Sequence, residues 1–164
     1  MASASKAMDQ GRATVFAEGY CAHADLAYRY CYVLLLNGPS AKQVVQTAFR
    51  EIAKELSASL PNADSLNTVL AKCWKVAGTL KPSKPSSGDH PLMNLFGGMP
   101  IEDRSILFLM DVAGRSVSEA AAIGEFSEDK VRKSIANGRR SLLQHEFSKI
   151  QLPESPVEEQ DSEP

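Results

Sequence analysis

The chain has 164 residues, 43% of them apolar and 23% charged, with a formal charge of −2. That size holds one or two small domains whose core needs no disulfide or metal. No apolar run approaches the ~18–20 residues that span a bilayer, and the apolar stretch Tyr32 to Leu36 is too short for a signal-peptide core, so a soluble, cytoplasmic protein is expected. The charge is unevenly placed. Residues 151–164 hold Glu154, Glu158, Glu159, Asp161 and Glu163 and no Lys or Arg. Setting those five acids aside turns −2 into +3 for residues 1–150. A mildly basic body with an acidic tail follows.

In chain order, residues 1–12 are small and polar and are expected to fray. Asp25 to Leu36 is mostly apolar or aromatic and meets the stop signal Asn37-Gly38-Pro39. Ser40, with Gln43 three residues on, has the pattern of an N-cap and capping box. Val45, Ala48, Phe49, Ile52 and Leu56 then line one helix face, and Lys42, Gln46, Arg50 and Lys54 fall elsewhere. Leu60-Pro61-Asn62 breaks that helix, and a third is predicted from Ser65 to Thr79 through Leu66, Val69, Leu70, Cys73, Trp74 and Ala77.

The stretch after Leu80 is rich in Pro and Ser and predicts a linker over 81–91 between domains at 13–80 and 92–150, with a disordered acidic tail at 151–164. Pro100 suits a helix start, and Gly114 a helix end. Ser116 with Glu119 forms a second capping box ahead of a short helix, Val117 to Ile123. Gly124-Glu125-Phe126 is a tight connection, and Ser127 caps a helix running to about His145, with Glu128 and Asp129 in its first turn. No stretch alternates as a strand does. The expected fold class is all-α, with two small helical domains, the second a helix-turn-helix.

On a helical wheel Val131, Ile135, Gly138 and Leu142 share one sector of the last helix. Lys130, Lys133, Asn137 and Arg140 lie opposite, with Ser134 at their edge. A recognition helix needs this division, since apolar residues dock it while cations and an amide reach phosphates and base edges. The alternative is a merely solvated basic face. Other chemistry is poorly represented. Cys21, His23 and Cys31 lack zinc spacing, and three Cys are too few for a disulfide framework. No phosphate-cradling Gly loop or nucleophile motif is present. No enzyme activity, cofactor or metal is therefore expected. Tyr28, Tyr30, Tyr32 and Trp74 are read as core aromatics.

The second half resembles region 4 of extracytoplasmic-function sigma factors. The match rests on Met99-Pro100, Arg104, Leu107, Leu109, Asp111-Val112, Gly114, Ser116, Glu119-Ala120-Ala121, Ser127, Val131, Ile135, Arg139 and Leu142. Tyr28-Arg29-Tyr30 to Leu36, Asn37-Gly38-Pro39, Ala41, Val45-Gln46 and Phe49 are similar to region 2 of that family. The resemblance covers roughly residues 20–145. It implies a protein that binds core RNA polymerase, directs it to promoter DNA and is held by an anti-sigma factor. Lys130, Lys133, Ser134, Asn137 and Arg140 would face DNA, and Lys42, Gln43 and Gln46 would be polymerase contacts. Three departures stand out, one being that Leu66 to Leu80 has only Lys72 and Lys75 as cations where the family's helix carries a run of Arg for DNA. Lys42 and Gln43 occupy positions where the family has paired acids, and Glu125 stands where it has Gly, with Gly124 next door available for the turn. Two alternatives accompany the promoter-directing function. One is a sigma-like mimic that captures an anti-sigma factor, and the other a simple helix-turn-helix regulator.

Overall fold

The computed structural model describes residues 16–55, 65–80 and 96–147, with Gly11, Ala13 and Thr14. The expected linker at 81–91 and the tail at 151–164 lie outside the described residues. Among those described, the chain is all-helical with no strand. After a single turn at Cys21–His23 come α1 (Ala24–Leu35), α2 (Gly38–Glu55), α3 (Ser65–Thr79), α4 (Ile101–Leu107), α5 (Val117–Gly124) and α6 (Glu128–Phe147). No helix among the described residues is long and apolar enough to cross a membrane.

Local chemistry sets most of the boundaries. α1 stops because Leu36 turns left-handed (φ 51°) and its N–H bonds Tyr32 O. A β-carbon makes that conformation costly, by about 1–2 kcal/mol. Leu36 is 1% exposed, and burying its side chain contributes a comparable amount. The α2 start differs from expectation. Gly38 opens the helix, and Asn37 Oδ1 accepts the Ser40 N–H at 2.9 Å. Asn37 is therefore the cap and Ser40 an N3 residue, because Pro39, with its fixed φ and no N–H, fits the first turn. Lys42 and Gln43 consequently stand beyond the first turn. α4 runs on into a π-helical turn, Phe108–Val112, in which Ala113 N–H reaches Phe108 O, five residues back. Gly114 then takes φ +64° and closes the element, as its identity predicts.

α1, α2 and α3 pack through Ala27, Tyr30, Cys31, Leu34, Ala41, Val44, Ala48, Ile52, Val69, Leu70 and Cys73. α4, α5 and α6 pack through Ile106, Leu109, Ala120, Ala121, Ile123 and Val131. These two sets form one continuous buried cluster. α3 lies against α5, and α1 against α4. Tyr30 Oη and Ser105 Oγ, both fully buried, share a hydrogen bond at 2.7 Å, while the Tyr30 ring packs on Phe108. Arg104 Nη1 donates to Val33 O, and Trp74 meets Phe126 edge-on. Lys75 pairs with Glu125 at 3.0 Å. Cys31 and Cys73 are buried in the junction of α1 and α3, whereas Cys21 is exposed. The neighbouring Cys73 thiol and then burial push the Cys31 thiol up. Of the aromatics read as core, Tyr30 is fully buried and Tyr32 and Trp74 partly so, but Tyr28 is 40% exposed and lies against Tyr32.

Candidate nucleic-acid interface

α5, a short turn and α6 form the unit on which the sequence places function. The start of α5 is a complete capping box. Ser116 Oγ accepts the Glu119 N–H at 3.2 Å, and Glu119 Oε2 accepts the Ser116 N–H at 2.8 Å. That backbone donor, then the Ser116 and Asn67 side chains, hold the Glu119 carboxyl down to about 2. The other carboxylate oxygen takes Asn67 Nδ2 and Arg115 Nη1, which anchors α5 to α3.

The turn assigns its two residues roles that the sequence did not separate. Glu125, and not Gly124, carries the left-handed backbone (φ 56°). Gly124 is needed for a different reason, because a β-carbon there would stand 2.0 Å from the Phe126 ring. The ring fills that space and reaches Trp74 on α3. Ser127 then caps α6, its Oγ accepting the Lys130 N–H at 3.2 Å.

α6 buries Val131, Ser134 and Gly138, with Ile135 and Leu142 partly covered. A β-carbon on Gly138 would approach Leu107 Cδ1 to 2.6 Å, so the glycine permits close contact between α4 and α6. Two predicted DNA-facing residues point elsewhere. Ser134 is 4% exposed and donates to Asp103 Oδ1 at 2.6 Å. Lys130 Nζ lies 2.9 Å from Glu102 and 3.7 Å from Asp103, and the Glu102 contact raises its pKa. Both belong to the seam between α4 and α6, because the first turn of α4 places its acids over that edge of the wheel. Toward the other end Arg139 pairs with Asp111, which raises its pKa in turn. Acid–base contacts at both ends thus set how α6 sits on α4. Sequence reasoning gave Glu102 and Asp103 no role, since their only local signal is an acid near a helix start, and it used Asp111 and Arg139 in the resemblance without pairing them.

Lys133, Asn137 and Arg140 are exposed and share the outward side of α6, joined by Arg132, which the sequence reading did not include. Their partners are close in sequence and solvated. Lys133 lies 2.7 Å from Asp129 and Arg132 2.6 Å from Glu128, both i,i+4 pairs, and Arg140 donates to Asn137 Oδ1. Lys133 and Asp129 are each over 70% exposed. Such pairs contribute only about 0.2–1 kcal/mol, so a phosphate can displace them at little cost. The outward side thus offers three cations and an amide on one rigid helix.

The polymerase-contact candidates Lys42, Gln43 and Gln46 are all exposed on the outer side of α2, opposite Ala41, Val44 and Ala48. They continue into Arg50 and Lys54, which are also exposed. Two acids of the same helix, Glu51 and Glu55, are engaged by Lys72 of α3. Among the described residues no group of His, Cys, Asp and Glu is arranged to hold a metal. No protein-family model matches the chain, and a search of curated proteins also finds no match.

Proposed function

We propose that the chain is a sigma-like transcription factor that directs core RNA polymerase to promoter DNA, with α5–turn–α6 as its helix-turn-helix. The observation that carries the reading is the division of α6. Its inner side is fixed by Gly138 against Leu107 and by Ser134 on Asp103, while Lys133, Asn137 and Arg140 project together from the opposite side. In a major groove those cations reach phosphates, and Asn137 can pair with adenine. Lys42, Gln43 and Gln46 on α2 are the proposed polymerase contacts, and an anti-sigma factor the proposed negative partner. The site of action is the cytoplasm.

The continuous core favours a second reading. A factor that reads two separated promoter elements must part its halves, yet here α1 and α3 share buried side chains with α4 and α5. A protein that keeps this docked form acts instead as a mimic that captures an anti-sigma factor, or as a one-site helix-turn-helix regulator. Run-off transcription with purified core polymerase separates these readings. A promoter-specific product that is lost in the Lys133→Ala, Asn137→Ala, Arg140→Ala triple variant supports the first. Absence of product, with DNA or anti-sigma binding intact, selects the second.

A further inference from the structure

The outward side of α6 is cationic, and a strongly anionic segment of the same chain begins shortly after that helix ends. We propose that residues 151–164 lie across this side of α6 and compete with nucleic acid there. The competition rests on the reading of α6 as the nucleic-acid surface; the contact does not. Charge and reach both point to it. The segment has five acids and no base. The side it meets carries Arg132, Lys133 and Arg140, each exposed. At 1.5 Å per helical residue, Arg140 lies about 10 Å back from Phe147 and Lys133 about 21 Å. Glu154 lies seven residue steps beyond Phe147, which can span up to ~23 Å, enough to return to Arg140. Glu158 and Glu159 have several residues more and can return to Lys133. A tether this short gives an effective concentration on the order of millimolar, so even weak carboxylate–cation contacts are populated. Glu128 and Asp129 are the present partners of Arg132 and Lys133, and they lie at the far end of the helix from the tether. Nothing in the pairing of Arg140, whose described partner is the Asn137 amide, neutralises its charge.

The test keeps the full chain and removes only charge, through Glu154→Gln, Glu158→Gln, Glu159→Gln, Asp161→Asn and Glu163→Gln together. Backbone and Arg side-chain NMR resonances are compared with wild type at low salt, and affinity for a short labelled duplex is measured on both proteins. The expected result is a set of shifts on residues 132–144, together with DNA binding tighter by roughly 3- to 30-fold. Both differences should shrink toward zero near 0.5 M salt, where screening is strong. Absence of shifts on α6, or shifts confined to the Lys42, Arg50 and Lys54 side of α2, overturns the contact. Shifts on α6 with equal DNA affinity overturn the competition. Shifts on α6 with no DNA binding by either protein support the contact and instead overturn the nucleic-acid reading.

Discussion

Replacing Tyr30 with Phe deletes one oxygen from the junction between the two halves. Tyr30 Oη and Ser105 Oγ are 2.7 Å apart, and both residues are fully buried. Burial raises the Tyr30 pKa, so the hydroxyl stays neutral across the working range. Tyr30→Phe leaves the Ser105 hydroxyl without its long-range partner, and Ser105→Ala does the same to Tyr30. An orphaned buried hydroxyl costs about 1–3 kcal/mol. Ser105, inside a helix, can turn toward a carbonyl one turn back, which places Tyr30→Phe at the lower end, near 1 kcal/mol. Ser105→Ala strands a phenol among apolar neighbours and should cost about 2 kcal/mol. The double variant has no orphan, so its loss should fall below the sum of the two singles by about 1–1.5 kcal/mol. Urea unfolding followed by helical circular dichroism and by fluorescence of Trp74, the single tryptophan, measures the cycle. Trp74 sits on Phe126 and so reports the α3–α5 contact, while the dichroism reports every helix. The two transitions should coincide. Strict additivity of the single variants, or separate transitions from the two probes, would refute the shared core.

Lys133→Ala and Arg140→Ala should each lower the salt dependence of DNA binding by about one ion, whereas Lys130→Ala should leave that slope unchanged and lower the melting temperature; equal slopes for all three remove the division of α6 into inner and outer sides. Glu119 ionises at about 2, below its usual 4.5, so its contribution to stability is present above about pH 4.5 and is lost as pH falls toward 2. Melting curves should show a steeper loss over that window in wild type than in Glu119→Gln. Gly124→Ala should destabilise by about 1–3 kcal/mol, because Phe126 must move, while Glu125→Gly should raise stability by up to about 1 kcal/mol by relieving the left-handed backbone. Calorimetry on both variants checks the assignment, and a stable Gly124→Ala protein contradicts it.

The helical class and most element positions were legible because their signals are local. The α3 limits at Ser65 and Thr79, the Ser116–Glu119 box, the Ser127 cap and the Gly114 stop each depend on residues within four positions of one another. Asn37 was missed as a cap because Ser40, flanked by a plausible partner, competes for the same role on paper. Only the fixed geometry of Pro39 decides between them. The wheel separated apolar from basic residues on α6, but it could not say that α4 brings Glu102 and Asp103 to the edge holding Lys130 and Ser134. That fact depends on contacts across about 30 residues. The docking of α3 on α5 was equally illegible, being carried by pairs such as Asn67–Glu119, 52 positions apart.

The Tyr30–Ser105 contact joins positions 75 residues apart. A ribosome adding about 5–20 residues per second needs roughly 4–15 s to synthesise that interval. During it, α1, α2 and α3 have left or are leaving the exit tunnel while the segments that cover Tyr30 and Trp74 do not yet exist. The nascent first half therefore presents an apolar surface for seconds, a long time compared with the microseconds to milliseconds of collapse and helix packing. Chaperone engagement of the newly made chain should accordingly peak between completion of α3 and emergence of α4, and slower translation across residues 81–95 would lengthen that exposure.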